Sequence, residues 1–232
     1  MFSLSEMNDQ SPKQLNAITS ALVREFPQLP ATLLARYLAD IVTWNDKVGL
    51  VSRRSTTAVL DRLVRQSALM HQFLLENLPA VSPRRDDKDL RVVDVGSGAG
   101  FPGVVWNLLQ PGLRVTMIER KQKKTTFLQR TIKILDLKRA EAIAGDAVEL
   151  GHRDDLASGF DVAVSFAVGT SDSVARLIEP FLDSSGVYCT LRPRGEEPRL
   201  EIANRALHFI THSDHEFGRF CLYGRTADTK FS

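Results

Sequence analysis

Cysteine is scarce. Cys189 and Cys221 are the only two in 232 residues, too few and too far apart for a disulfide framework or a zinc site, and a reducing, cytoplasmic setting is expected. No apolar run approaches the roughly 18 residues of a membrane span, so no membrane partner is expected. The opening MFSLSEMNDQ has neither a basic n-region nor an apolar h-region, and no secretory signal is expected. There is no internal repeat and no low-complexity tract. Charge of one sign is also lacking overall: the net is +2, which by itself points to no charged partner.

What is present is ordinary for a folded chain, 43% hydrophobic and 25% charged residues, and excludes wholesale disorder. At roughly 150 residues per domain the length fits one main domain with an appended piece. The charge is unevenly spread. Pro111 to Arg139 holds nine Lys/Arg against two Asp/Glu, Lys47 to Arg65 five against one, and Ala140 to Thr190 two against nine. Two basic zones in a nearly neutral chain suggest a face for a polyanion, or else a solvated helix surface.

Residues 12–45 carry helical periodicity through Leu15, Ile18 and Leu22 and then Leu34, Leu38, Ile41 and Val42. Pro27 and Pro30 divide them into two helices. Ser52–Ser55 reads as a loop and Thr57–Leu78 as an amphipathic helix. Pro79–Asp89, rich in proline and charge, is the candidate linker between a helical extension over 1–89 and a second domain over 90–232. From there strands and helices alternate: strands at Arg91–Val95, Arg114–Glu119, Ala140–Ala144, Phe160–Ser165 and Gly186–Leu191, helices at Phe101–Leu109, Gln122–Leu137 and Ser171–Leu182. Ala206–Ile210 and Phe220–Tyr223 have little helix between them and predict an antiparallel hairpin. The alternation predicts an α/β fold with a mostly parallel sheet flanked by helices.

The first strand runs into Asp94-Val95-Gly96-Ser97-Gly98-Ala99-Gly100-Phe101 and then a helix, the context a nucleotide-binding turn requires. Gly96, Gly98 and Gly100 let the chain turn tightly and a ligand approach bare backbone. A dinucleotide fingerprint would need glycine at 101, where Phe101 stands. The spacing, with an acid on the strand before it, resembles the first motif of class I S-adenosylmethionine-dependent methyltransferases. Glu119 ends the second strand 23 residues after Gly96, about where an acid hydrogen-bonds ribose hydroxyls. Asp146 follows the third strand, where enzymes of this class commonly place an acceptor for the adenine amino group. Singly, the two acids could be a strand-end acid and a helix cap. Together they place a ligand at the carboxyl ends of the strands.

The longer stretch Val93 to Gly103, with Trp44-Asn45, Lys47 and Leu50 before it and Lys123, Lys124, Phe127 and Leu128 after it, resembles the GidB/RsmG family, over about residues 30–195. The resemblance implies a class I methyltransferase fold, S-adenosylmethionine as cofactor, and methylation of N7 of a guanine in 16S ribosomal RNA, alone or in the small ribosomal subunit. It implies cofactor contacts at Gly96, Phe101, Ala147 and Val148. Three stretches depart from the family pattern. Its N-L-T is Gly49-Leu50-Val51. Its R-H-x-x-D-S helix aligns with Arg62 to Ser67, without the His and Asp. Its S-R-A after the fourth strand is Ser165-Phe166-Ala167.

Phe166 replaces an arginine that in the family lies near cofactor and RNA; its ring could stack on a base. Arg192 and Arg194, after the fifth strand, could hold a phosphate. Lys121, Lys123, Lys124, Arg130 and Lys133 form either a solvated helix face or a phosphate-contacting stripe. His208 and His212, on one face of a strand, would be about 13 Å apart, too far to share a metal. Cys189, inside a strand, is expected to be buried. After the fourth strand there is no Asn/Asp-Pro-Pro-aromatic segment for exocyclic amines, and no cysteine lies where a C5-pyrimidine methyltransferase needs its nucleophile. Guanine N7 needs neither, because its lone pair carries no proton, so no general base and no catalytic side chain is expected. A monomer is expected. The alternatives are another RNA or a small molecule as acceptor, or a cofactor-binding module without activity.

Overall fold

A computed structural model describes residues 12–52, 56–81, 89–166, 172–195 and 207–225. Three helices come first: α1 (Pro12–Glu25), α2 (Ala31–Val48) and α3 (Thr56–Val81). Leu34, Tyr37, Leu38, Ile41 and Asn45 are buried on α2, the three- and four-residue recurrence that gives a helix one inward stripe. Gly49, left-handed at φ 67°, ends α2, its N–H donating to the Asn45 carbonyl. The α3 helix runs through Pro79, so the candidate linker starts later than expected. A proline this close to a helix C-terminus removes only one hydrogen bond there. The rest of the linker, 82–88, and the loop residues 53–55 lie outside the described residues.

The remainder alternates β1 (Arg91–Val95), α4 (Gly103–Leu109), β2 (Arg114–Glu119), α5 (Gln122–Leu135), β3 (Ala140–Ala144), the single turn α6 (Ala147–Leu150), β4 (Phe160–Ser165), α7 (Asp172–Ile178), β5 (Leu182–Arg192), β6 (Leu207–His215) and β7 (Gly218–Arg225). They build one seven-stranded sheet ordered β3-β2-β1-β4-β5-β7-β6. The first five strands are parallel and β7 pairs antiparallel with β5 and β6. This is the expected α/β fold, hairpin included. The helix expected to reach Leu182 stops at Ile178, and a 3₁₀ turn over Glu179–Phe181 takes its place. Pro180 has no N–H to continue the α-helix.

Both faces of the inner strands β1, β2 and β4 are covered, which is why they read as near-continuous apolar runs, while the edge strands β3 and β6 are largely half-exposed. Val92 faces a larger core with Leu22, Tyr37, Leu38, Ile41, Leu60 and Phe127. Its neighbour Val93 faces a smaller one with Ile118, Leu150, Phe181 and Tyr223. The larger core runs unbroken from α1–α3 into the sheet, so the helical extension and the sheet stabilise each other. A bulge between Phe209 and Thr211 pairs His208 with Gly224 and His212 with Cys221. The extra residue shifts the alternation by one. The two histidines therefore lie on opposite faces, not on one as expected. Cys189 and Cys221 are buried, and burial pushes both thiols up from their ordinary range.

Candidate cofactor and active site

The strand order reverses between β1 and β4, so the loops leaving these two strands part to opposite faces and open a crevice at their carboxyl ends. A cavity of about 320 Å³ lies there, lined by Val95, Gly96, Ile118, Glu119, Arg120, Lys121, Lys124, Gly145, Asp146, Ala147 and Leu177. Three successive strand ends, β1, β2 and β3, supply most of it, and Leu177 of α7 closes one wall.

Backbone bonds hold the glycine turn over β2. Gly96 and Ser97 donate their N–H groups to the Ile118 carbonyl at 2.8 and 3.1 Å. Gly98 donates to Glu119 Oε2 at 3.1 Å, and Lys121 donates its backbone N–H to Glu119 Oε1 at 2.8 Å. The three glycines sit at φ 79°, 58° and 101°, a region that side chains disfavour. Glu119 is thus fixed before any ligand arrives, and each carboxylate oxygen keeps lone-pair capacity for a further donor.

Asp146 caps α6, its Oδ1 accepting from the Val148 N–H at 2.9 Å. The cap and a place in the cavity lining coexist. Ala147 lines the wall beside it, and Val148, 54% exposed, is the only exposed large apolar side chain among the described residues. Gly100 and Phe101 stand behind the turn rather than in the cavity. A Cβ on Gly100 would come within 2.6 Å of Val104 Cγ2 and 3.0 Å of Tyr37 Oη, and the buried Phe101 ring lies 5.4 Å from that of Tyr37.

Asp94, on β1, is fully buried facing α4. Its Oδ2 accepts from the Gly103 N–H at 3.0 Å, while Oδ1 has no hydrogen-bond partner. Burial pushes its carboxyl up to about 7, with the Gly103 hydrogen bond and the nearby Ser97 hydroxyl opposing and the Glu119 charge adding. A Cβ at position 103 would sit 2.8 Å from Asp94 Oδ2, so only glycine admits this approach.

The cations divide. Arg120, Lys121 and Lys124 line the cavity, and Lys123 is exposed beside them. Arg130 instead turns to α2, pairing with Asp40 at 2.9 Å and lying 5.5 Å over the Trp44 ring. In the other basic zone Arg65 is taken up by Glu25 and Asp61. Phe166 is 8% exposed and packed into the larger core, so its face is not open to a base here. Arg192 reaches Tyr223 Oη at 3.4 Å and Arg194 donates to the His215 carbonyl; neither lines the cavity. Sequence reasoning missed Leu177, whose place depends on how α7 packs. It left Lys121 and Lys124 undecided between solvent and phosphate. Among the described residues no group of three metal-ligating side chains forms.

The donor set fits S-adenosylmethionine. Glu119 suits a vicinal diol, Asp146 an amino group, the bare backbone at Gly96 a close approach, and Val95, Ile118, Ala147 and Leu177 an apolar body. Fold and site together define a class I S-adenosylmethionine-dependent methyltransferase. Solved structures agree on the fold: a putative methyltransferase, yhhF, from Escherichia coli is 14% identical with TM-score 0.50, covering 69% of this chain and 86% of its own. A mutant of MtNAS in complex with S-adenosylmethionine is 14% identical with TM-score 0.52, covering 93% and 98%. The chain belongs to the GidB family, rRNA small subunit methyltransferase G, whose pattern matches residues 31–222. Among its relatives, the ribosomal RNA small subunit methyltransferase G of Gloeobacter violaceus is 30% identical over 192 residues, covering 82% of this chain and 74% of its own. That of Thermoanaerobacter sp. (strain X514) is 27% identical over 172 residues, covering 74% and 68%.

Proposed function

We propose that this protein methylates N7 of a guanine in 16S ribosomal RNA, with S-adenosylmethionine as donor. The observation that carries it is the single cavity joining the Gly96 turn, Glu119 and Asp146 at the switch point of a GidB-family sheet. In this reading Glu119 accepts from the ribose hydroxyls, Asp146 from the adenine amino group, and Ala147 and Val148 pack on the adenine. Gly96 and Gly98 offer bare backbone, while Gly100 and Phe101 support the turn from behind. Bound S-adenosylmethionine supplies a methyl group on a sulfonium, an electrophile that needs no further activation.

The protein's own task is alignment. Guanine N7 carries no proton to remove, so the side chains need only hold the acceptor in line and keep water out. Arg120, Lys121 and Lys124 at the cavity and the exposed Lys123, with Arg192 and Arg194 further along the same sheet edge, are the groups to meet the RNA backbone. In this reading the working unit is a monomer. No helix of the described residues is long and apolar enough to cross a membrane, and a ribosomal RNA substrate supports a cytoplasmic location.

The test is transfer of labelled methyl to small ribosomal subunits, or their naked RNA, from cells lacking the gene, with the modified base mapped by mass. Transfer to guanine N7 is expected. Absence of cofactor binding overturns the cavity assignment; binding without transfer to either substrate overturns the acceptor.

A further inference from the structure

On the buried stripe of α2, Tyr37 stands among aliphatic residues, with none of its surface exposed. A buried phenol needs a hydrogen-bond partner, and this one reaches 62 residues along the chain, donating to the Ala99 carbonyl at 2.8 Å. Burial and the nearby Asp94 charge raise its pKa well above the usual phenol value, so it remains a donor. The same side chain touches the next two residues of the turn. Its Oη is 3.0 Å from where a Gly100 Cβ would be, and its ring is 5.4 Å from the Phe101 ring, tilted 47°.

The glycine turn is therefore held from two sides. On the cavity side the Ile118 carbonyl and the Glu119 carboxylate take its N–H groups. Behind it stands Tyr37. A segment with three glycines at positive φ has more freedom to lose on ordering than any other kind of backbone, and a turn left loose would lose that freedom when a ligand binds. The α2 helix also supports the second flank of the cavity, because Asp40 and Trp44 hold Arg130 of α5, the helix whose start carries Lys121 and Lys124.

We propose that Tyr37 is a positioning residue for the cofactor turn: its hydroxyl bond to the Ala99 carbonyl sets the turn in its ligand-ready form, so the helical extension tunes cofactor affinity as well as enlarging the core. This rests on the reading of the cavity as the S-adenosylmethionine site.

The variant Tyr37→Phe removes one oxygen and leaves the ring packing in place. Loss of one neutral hydrogen bond corresponds to about three- to tenfold. KM for S-adenosylmethionine should rise by that factor, with KM for RNA and saturated kcat within about twofold. Without any ligand, amide hydrogen exchange at Gly98 and Gly100 should speed up by a similar factor, while that of Val92 and Val93 stays unchanged. The control is Leu15→Ala, in the same extension but remote from the turn, which should lower Tm and leave KM for the cofactor alone. Unchanged cofactor KM and unchanged exchange in Tyr37→Phe, or a KM rise matched by the control, overturns the proposal. Failure of the parent protein to bind S-adenosylmethionine would instead overturn the cavity assignment, and the exchange measurement would still decide whether Tyr37 holds the turn.

Discussion

Asp94 should make the stability of this protein fall as pH rises through neutrality. Its carboxyl is fully buried, accepts one hydrogen bond from Gly103, has an unpartnered Oδ1, and is pushed up to about 7 by burial. An unfolded chain returns it to about 3.9. Between those values the folded state holds a proton that the unfolded state has released, so folding is favoured on the acid side. That advantage is full below about pH 4 and is lost as pH passes 7. At 1.36 kcal/mol per pKa unit, the interval from pH 5 to pH 8.5 is worth about 3 kcal/mol. Asp94→Asn keeps an acceptor for the Gly103 N–H and removes the charge. It also buries an amide N–H₂, a cost of about 1–3 kcal/mol, but one that does not change with pH. The measurement is the difference in unfolding free energy between variant and parent, by urea titration at pH 5, 6, 7 and 8.5. The difference should move in favour of the variant by about 3 kcal/mol across that range, about 6–12 °C in Tm for a chain of this size. Other titrating groups are common to both proteins and cancel. Parallel curves would refute the reasoning and show that Asp94 is ionised, or hydrated, in the folded state.

Glu119→Ala should weaken S-adenosylmethionine binding by about ten- to a hundredfold, the usual worth of a charged acceptor, read by calorimetry; unchanged affinity would remove Glu119 from the ribose. Gly100→Ala should cost about 2–4 kcal/mol in urea unfolding, because its φ of 101° is strained for a side chain and a Cβ would meet Val104 at 2.6 Å. Phe166→Ala should cost about 3–5 kcal/mol as the loss of a core ring. A small stability change with lowered turnover would instead return Phe166 to the substrate face.

How much the sequence decides by itself follows from what is local. The glycine turn, the alternation of strand and helix, and the acids at the ends of β2 and β3 are features of short windows. Each rests on rules of backbone conformation and period that need no distant partner, so Gly96, Glu119 and Asp146 could be placed from the sequence, and they meet in one cavity. The end of α3 beyond Pro79 and the late bulge that parts His208 from His212 needed the structure, because neighbouring elements override local preference there; the early stop of α7 has a local cause in Pro180. So did the direction each side chain takes. Arg130 lies among the basic residues that suggested a phosphate stripe, yet Asp40 and Trp44 draw it inward. Phe166 follows a strand that could have offered it to a base, yet it fills the core. Tyr37 reads as one more member of an apolar stripe until its hydroxyl is seen against the Ala99 carbonyl, 62 residues away. Local spacing fixes which residues can act; packing across the chain fixes which way they face.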